Sequence, residues 1–361
     1  MKIGILTLPL HHNYGGILQA YALQTFLKNQ GHEVFLIRRT MPAPKRSLKT
    51  QFSKWISKII VERNPRKFTE DNLHPRTDFL NSNKELEDSV IKHKLNALIV
   101  GSDQVWRLEY SDAIALNFFF DFLDNTSIKK ISYAASFGLD NWSHPVDITK
   151  KIAGLLHKFD AVSVREDSAV TICKDIFDVS AVHMIDPTLL LEKDEYISLI
   201  SPTELTKDKS LIVYIIDESA DKTKVIDKVA ARKRLVTKSI NAKLKFSQKN
   251  FSKIVECIYP TISFWLSGFR DADFIVTDSF HGVAFSLIFN KPFIAIGNKD
   301  RGLARFQSIL KIFNLQNRLI FQFSELTDDL IDSEIDFLSI NEIIQEQRSK
   351  ATEFITNSID L

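Results

Sequence analysis

The sequence predicts an α/β protein made of two Rossmann-like halves, and three observations carry that reading. Short β-branched or aromatic runs alternate with helical stretches, the pattern of parallel strands joined by helical crossovers. The runs are almost wholly apolar, as strands covered on both faces must be. The alternation breaks near residue 187, at a proline, and then restarts.

Residues 2–8 form the first strand, IGILTL within it, and run into His11-His12-Asn13-Tyr14-Gly15-Gly16. A helix over 17–30 follows, ended by Gly31, and a strand over 33–37. This is a βαβ start with a glycine pair at the helix start, as in folds that bind phosphates or sugars there. The spacing is not GxGxxG, so a dinucleotide is not indicated. A tight turn explains Gly15 and Gly16 equally well, whereas Asn13 and Tyr14 fall where such loops face a ligand crevice.

Pro42, Pro44, Pro65 and Pro75 break 38–76 into an irregular insertion with one or two helices. Strands resume at 97–100 (ALIV), which runs into Gly101-Ser102-Asp103-Gln104-Val105-Trp106, and at 130–136, ending in Ser136-Phe137-Gly138. Asp103 reads either as a helix N-cap or as a base facing the crevice. The strand 161–164 ends at Arg165-Glu166, where an arginine can hold an anion or pair with a neighbouring carboxylate. Residues 184–191, MIDPTLLL, close the first half.

The second half opens with a strand at 211–216, then a helix over 222–234, a strand at 235–239 and a helix over 261–269 carrying Trp265. Its centre is DADFIVTDSFHGVAFSLIFNKPFIAI, 271–296. Residues 274–277 form a strand, Asp278 and Ser279 suit an N-cap, 283–289 a buried helix, and 293–296 the next strand. His281 stands at the turn beside Gly282, where helix-start amides point at a ligand: an anion site with a titratable group. Arg301 and Arg305 follow, four apart on one helical side within 299–310, either supplementing that anion site or making surface ion pairs. Residues 340–358 form a terminal helix that should pack back on the first half. The expected organisation is therefore 1–191, 192–340 and a C-terminal helix within 341–361.

Composition sets the class. With 44% apolar and 25% charged residues the chain can bury a large core. Cys173 and Cys257 read as buried free thiols of a reducing compartment. No stretch is long enough to span a membrane, so a cytoplasmic location is expected. The net charge of +2 conceals an asymmetry: 38–76 has eleven Lys or Arg against three acidic residues, +8, leaving −6 elsewhere. No nucleic-acid module is present in that block. Leu48, Phe52, Trp55, Ile56, Ile59 and Ile60 share a helical face with Lys49, Lys54 and Lys58 off it, which suits a membrane surface or packing against the domain itself.

Six collinear stretches carry a family resemblance. They are NYGGILQAYALQTFLKNQGHEV (13–34), GSDQVW (101–106), ISYAASFG (131–138), SVRE (163–166), DPTLLL (186–191) and TDSFHGVAFSLIFNKPFIAI (277–296). Together the chain resembles the polysaccharide pyruvyl transferases. The resemblance implies a GT-B-like fold, two Rossmann-like domains facing across a cleft, and transfer of pyruvate from phosphoenolpyruvate to two sugar hydroxyls with release of phosphate. It implies no cofactor or metal, with phosphoenolpyruvate as co-substrate and a sugar acceptor, lipid-linked in one variant that would bring 38–76 to the inner face of the membrane. His281 would bind the phosphate and act as acid, with the Gly282 and Val283 amides and Ser279 beside it. Arg165, Arg301 and Arg305 would hold the donor's charge. Asp103 would orient or deprotonate the acceptor, and Asn13, Tyr14, Gly15, Gln104 and Ser136 would line its side. Some members have Arg-x-His where this chain has Ser279-Phe280-His281, so another arginine must supply that charge.

Two other readings use the same fold. A nucleotide-sugar glycosyltransferase or epimerase usually has a carboxylate in the helix after the turn, and 283–289 has none. Asp271-Ala272-Asp273 is a DxD, but it precedes its strand, which favours a solvated lead-in over a metal site. The other is a non-catalytic glycan-binding member.

Overall fold

The computed structural model describes residues 1–42, 52–53, 55–123, 127–202, 209–297 and 302–360. Leu48, Lys49, Lys54 and Arg301 lie outside the described residues.

Two parallel sheets organise the chain. The first contains β1 (Lys2–Leu6), β2 (Glu33–Arg39), β3 (Arg76–Leu80), β4 (Ala97–Val100), β5 (Lys129–Ala135), β6 (Ala161–Val164) and β7 (Val182–His183), in the order β3-β2-β1-β4-β5-β6-β7. The second contains β8 (Ser210–Tyr214), β9 (Val236–Ser239), β10 (Phe274–Thr277), β11 (Phe293–Ile296) and β12 (Leu319–Ile320), in the order β12-β11-β10-β8-β9. Every pairing is parallel. Helical crossovers impose this, and burial on both faces explains runs such as ALIV in β4, wholly inaccessible to solvent.

The order in which strands are added reverses between β1 and β4 in the first sheet and between β8 and β10 in the second. Loops leaving the carboxyl ends diverge at such points and open a crevice. The loops that hold Asn13 and Asp103 leave one of them, and the turn that holds His281 leaves the other.

The halves share a continuous apolar core. Tyr14 stacks on Trp265 with ring centroids 5.4 Å apart, and Trp265 meets Phe285 edge-on at 4.9 Å. Such pairs contribute about 0.5–1.5 kcal/mol each beyond area burial. The terminal helix, Phe337–Asp360, does pack back on the first half. Ala351 and Ile355 are buried, Phe354 lies 6.5 Å from Tyr133 of β5, and Arg348 Nε donates to the Leu189 carbonyl at 2.7 Å. Both cysteines are free and buried. No helix among the described residues is long and apolar enough to cross a membrane.

The insertion holds the helices expected of it, and the sheet gains a further unit at its end. The helices are Arg63–Asn72 and, before it, helical backbone with a π turn at Ser57–Val61; β3 and the helix Asn83–His93 complete another crossover. The apolar face expected there is split. Ile56 is buried, whereas Phe52, Trp55 and Ile59 are exposed.

Candidate active site

Arg165 leaves the end of β6 and is 3% exposed. Its Nη1 donates to Asp186 Oδ2 at 2.7 Å and to Ser102 Oγ at 3.3 Å. Its guanidinium lies 4.5 Å from the centroid of Phe280, a residue of the second half. The pair anticipated with Glu166 is long, at 3.9 Å, and Asp103 Oδ1 is equally distant from Nη2. Nε and Nη2 are thus buried donors with no hydrogen-bond partner. A buried donor left unmet costs about 1–3 kcal/mol, more when charged, so these two nitrogens call for partners that the protein itself does not supply.

Asp186 is the anchor beneath it. Its Oδ1 accepts from Thr188 N at 3.0 Å and from Thr188 Oγ1 at 2.8 Å, while Oδ2 accepts from Ser102 Oγ at 3.0 Å as well as from Arg165. Nε2 of His281 stands 3.7 Å from the same Oδ2, beyond hydrogen-bond length. Burial alone would raise this carboxyl; His281, Arg165 and the Thr188 N–H overcome it and hold it far below the usual carboxylate range.

His281 is the second residue of the helix Phe280–Ile288 and is 5% exposed. Its Nε2 has no hydrogen-bond partner. The imidazole rests on Gly15 of the first half, where a Cβ would come within 1.9 Å of Nδ1. Ser279 holds the N-cap position without a side-chain cap bond, and its N–H donates to Thr277 Oγ1 at 3.1 Å. Gly282 packs on the same Thr277 hydroxyl, which a Cβ would approach to 2.0 Å. The Val283 amide, expected to assist a ligand, is instead spent on Ser279 O at 3.1 Å, the first bond of the helix. Asp278 does not cap the helix either; it accepts from Ile216 N, Asp217 N and Lys222 Nζ and ties the turn to the end of β8.

Asp103 is no helix N-cap: it sits in the left-handed region at φ 73° and its Oδ1 accepts from the next residue's N–H at 2.9 Å. Its Oδ2 accepts from Asn13 Nδ2 at 3.4 Å, joining the two loops of the first crevice. Ser136 Oγ donates to Glu166 Oε1, leaving buried Oε2 unpartnered. Burial raises the Glu166 carboxyl despite Arg165 and Ser136. Arg305 joins this group and is not a surface ion pair; burial and the nearby charge of Arg165 push it down to about 10. Arg165, Glu166, Asp186, His281, Asp103, Asn13, Ser136 and Arg305 thus form one connected cluster.

Two expected acceptor residues stand elsewhere. Tyr14 is buried between the halves, its hydroxyl donating to Pro260 O at 2.9 Å. Gln104 is turned onto Gly138, with Oε1 accepting from Arg107 Nη1 at 3.2 Å. Trp106 belongs to the core and donates to Phe118 O at 3.0 Å. In the DxD stretch, Asp271 pairs with Arg270 and Asp273 accepts from Ser210 N, so both carboxylates have structural partners. A cavity of ≈ 580 Å³ over the ends of β8, β11 and β12 has walls of Asp217, Glu218, Asp221 and Glu325 with Lys222. Lys222 is already bound to Asp278, so the described walls carry a net negative charge. Asp186, Glu166 and Ser102 are the site residues that sequence reasoning missed. The signal for Asp186 is the DPTLLL stretch, which closes the first half and is among the family-like motifs but had no role given to its carboxylate.

The fold and this cluster define a two-Rossmann enzyme scaffold of the GT-B type with its polar centre between the halves. Its backbone is similar to the UDP-GlcNAc 2-epimerase of Neisseria meningitidis bound to UDP-GlcNAc, with a TM-score of 0.54 at 10% identity over 99% of each chain. It is also similar to the UDP-N-acetylglucosamine 2-epimerase of Rickettsia bellii, with a TM-score of 0.52 at 12% identity over 100% of this chain and 97% of that one. At such identities the likeness is one of fold. No curated protein matches the chain in sequence. The chain belongs to the polysaccharide pyruvyl transferase family, whose model matches residues 13–300.

Proposed function

We propose that the protein transfers pyruvate from phosphoenolpyruvate to two hydroxyls of a sugar, forming a cyclic ketal and releasing phosphate. One observation supports the reading: Arg165 Nε and Nη2 and His281 Nε2 are buried without a hydrogen-bond partner in the protein, on two residues that both meet Asp186 where the halves join. A small anion with a carboxylate and a phosphate matches that set, since planar guanidinium donors suit both groups.

The chemistry needs proton transfer at three points. A proton added to the methylene carbon of the enol makes C2 electrophilic, and a sugar hydroxyl attacks it. The C2–O bond to phosphate then breaks, and the second hydroxyl closes the ketal. Two hydroxyl protons are lost; one ends in the new methyl group and the other leaves on phosphate. His281 is assigned the acid and the phosphate contact, Asp103 the orientation or deprotonation of the acceptor, and Arg165 with Arg305 the developing negative charge. Glu166, with its raised carboxyl, is a second proton carrier beside them. The reaction so written uses no metal.

The test is incubation with phosphoenolpyruvate and a panel of sugar acceptors, following phosphate release and the mass of the acceptor. A parallel panel of UDP-sugars decides against the epimerase or glycosyltransferase alternative. Turnover of a UDP-sugar without phosphoenolpyruvate would overturn the proposal. Full biological activity in His281→Ala would instead support a glycan-binding protein without catalysis.

A further inference from the structure

We propose that Phe52, Trp55, Lys58 and Ile59, with the neighbouring edge of the first sheet, form a surface that docks on an anionic lipid bilayer. Phe52, Trp55, Ile59 and Phe79 are 59, 54, 44 and 58% exposed. Soluble proteins seldom group large apolar side chains this way without a partner. Phe52 and Trp55 stack on each other at 5.8 Å, and Ile59 lies one turn beyond Trp55. Lys58 Nζ, 5.8 Å from the Phe79 ring centroid, links this strip to β3, where Arg38 covers the same ring at 4.1 Å.

Charge selects the occupant. Between 38 and 61 there are seven Lys or Arg and no Asp or Glu. Arg39 alone among the described ones is turned into the fold, donating to Asn117 Oδ1. Exposed rings and an aliphatic side chain beside Lys58 and Arg38, in a stretch of sequence with cations and no acidic residue, suit the boundary between headgroups and acyl chains, where lysine stems lie along apolar surface. A nucleic acid would use ring faces as base platforms, and here two of the rings stack on each other.

The segment adjoins the site. Tyr259 N donates to Val61 O, Asn64 Nδ2 donates to Tyr259 O, and Tyr259 stacks on His12 at 4.6 Å. His12 precedes Asn13 on the cleft wall, so docking brings that wall to the bilayer. Taken with the pyruvyl-transfer reading, on which this step rests, it makes the acceptor a sugar carried on a lipid.

The experiment floats the full-length protein with phosphatidylcholine vesicles, with and without phosphatidylglycerol, at low and high salt. Binding is expected only with phosphatidylglycerol, and high salt should reverse it. Phe52→Ala with Trp55→Ala should weaken it at least about tenfold, and Lys58→Ala roughly fivefold, with unchanged melting temperatures. Wild-type protein that fails to float with anionic vesicles at low salt overturns the proposal. So does binding to single-stranded DNA or heparin as tight as to vesicles and indifferent to Phe52 and Trp55. The double variant should still release phosphate from phosphoenolpyruvate with a water-soluble acceptor, so docking and the reaction stand or fall separately.

Discussion

His281 occupies the space that a side chain at Gly15 would need: a Cβ there would stand 1.9 Å from Nδ1 and 2.2 Å from Cγ. The two residues belong to different halves, each in the first turn of its helix. Glycine is therefore what lets the imidazole reach Asp186. Gly15→Ala should displace the ring or part the halves and lower phosphoenolpyruvate turnover by about 100-fold or more. Circular dichroism should show both sheets intact. Unchanged kcat would mean the imidazole does not act from this position.

Asp186 neutralises Arg165 and faces His281, and it is fully buried. Asp186→Asn takes the nearest carboxylate from a buried guanidinium, leaving only Asp103 and Glu166 at 3.9 Å, and should cost about 3 kcal/mol in urea unfolding. The same carboxyl predicts a pH signature. Its folded pKa is depressed, so the unfolded chain binds the proton more readily and stability rises with pH through the acid range. The contribution is complete above the ordinary value of 3.8 and is lost as pH falls below it. The wild-type melting temperature should therefore drop steeply below about pH 4, and that of Asp186→Asn should drop less.

Much of this architecture was legible in the chain. β4, β6, β10 and β11 match the expected strands residue for residue, because each is a short apolar run closed by turn residues. β7 and β12 have two residues each, too few for any period, and the edge strand β3 (RTDFL) has no apolar run. Arg165, His281 and Asp103 could be placed at the crevice because strand ends face crevices in parallel sheets. Asp186 could not, since its significance depends on two partners contributed by different halves. Tyr14 misled for a simpler reason. Asn13 is the extended N-cap residue and Tyr14 the first residue of the helix, so Asn13 faces Asp103 while Tyr14 enters the interface.

That interface gives Tyr14 a structural test. Tyr14→Phe removes a hydroxyl that donates to Pro260 O and should cost about 1 kcal/mol. Tyr14→Ala, which also empties the stack on Trp265, should cost about 3–5 kcal/mol. KM for the sugar acceptor should be unchanged in Tyr14→Phe. A rise in that KM without loss of stability would return Tyr14 to the acceptor side.

Arg165 separates charge from geometry. Lysine keeps the positive charge near Asp186 but lacks the Nε and Nη2 donors that have no partner in the protein. If those donors receive the donor substrate, Arg165→Lys should raise KM for phosphoenolpyruvate by about 10- to 100-fold. The acceptor KM should stay near its wild-type value, and the melting temperature should fall by less than in Asp186→Asn, because the buried carboxylate keeps a cation. Steady-state kinetics with each substrate varied in turn reads both constants. Equal effects on the two KM values would mean that Arg165 only shapes the cleft, and the unpartnered nitrogens would then need another ligand.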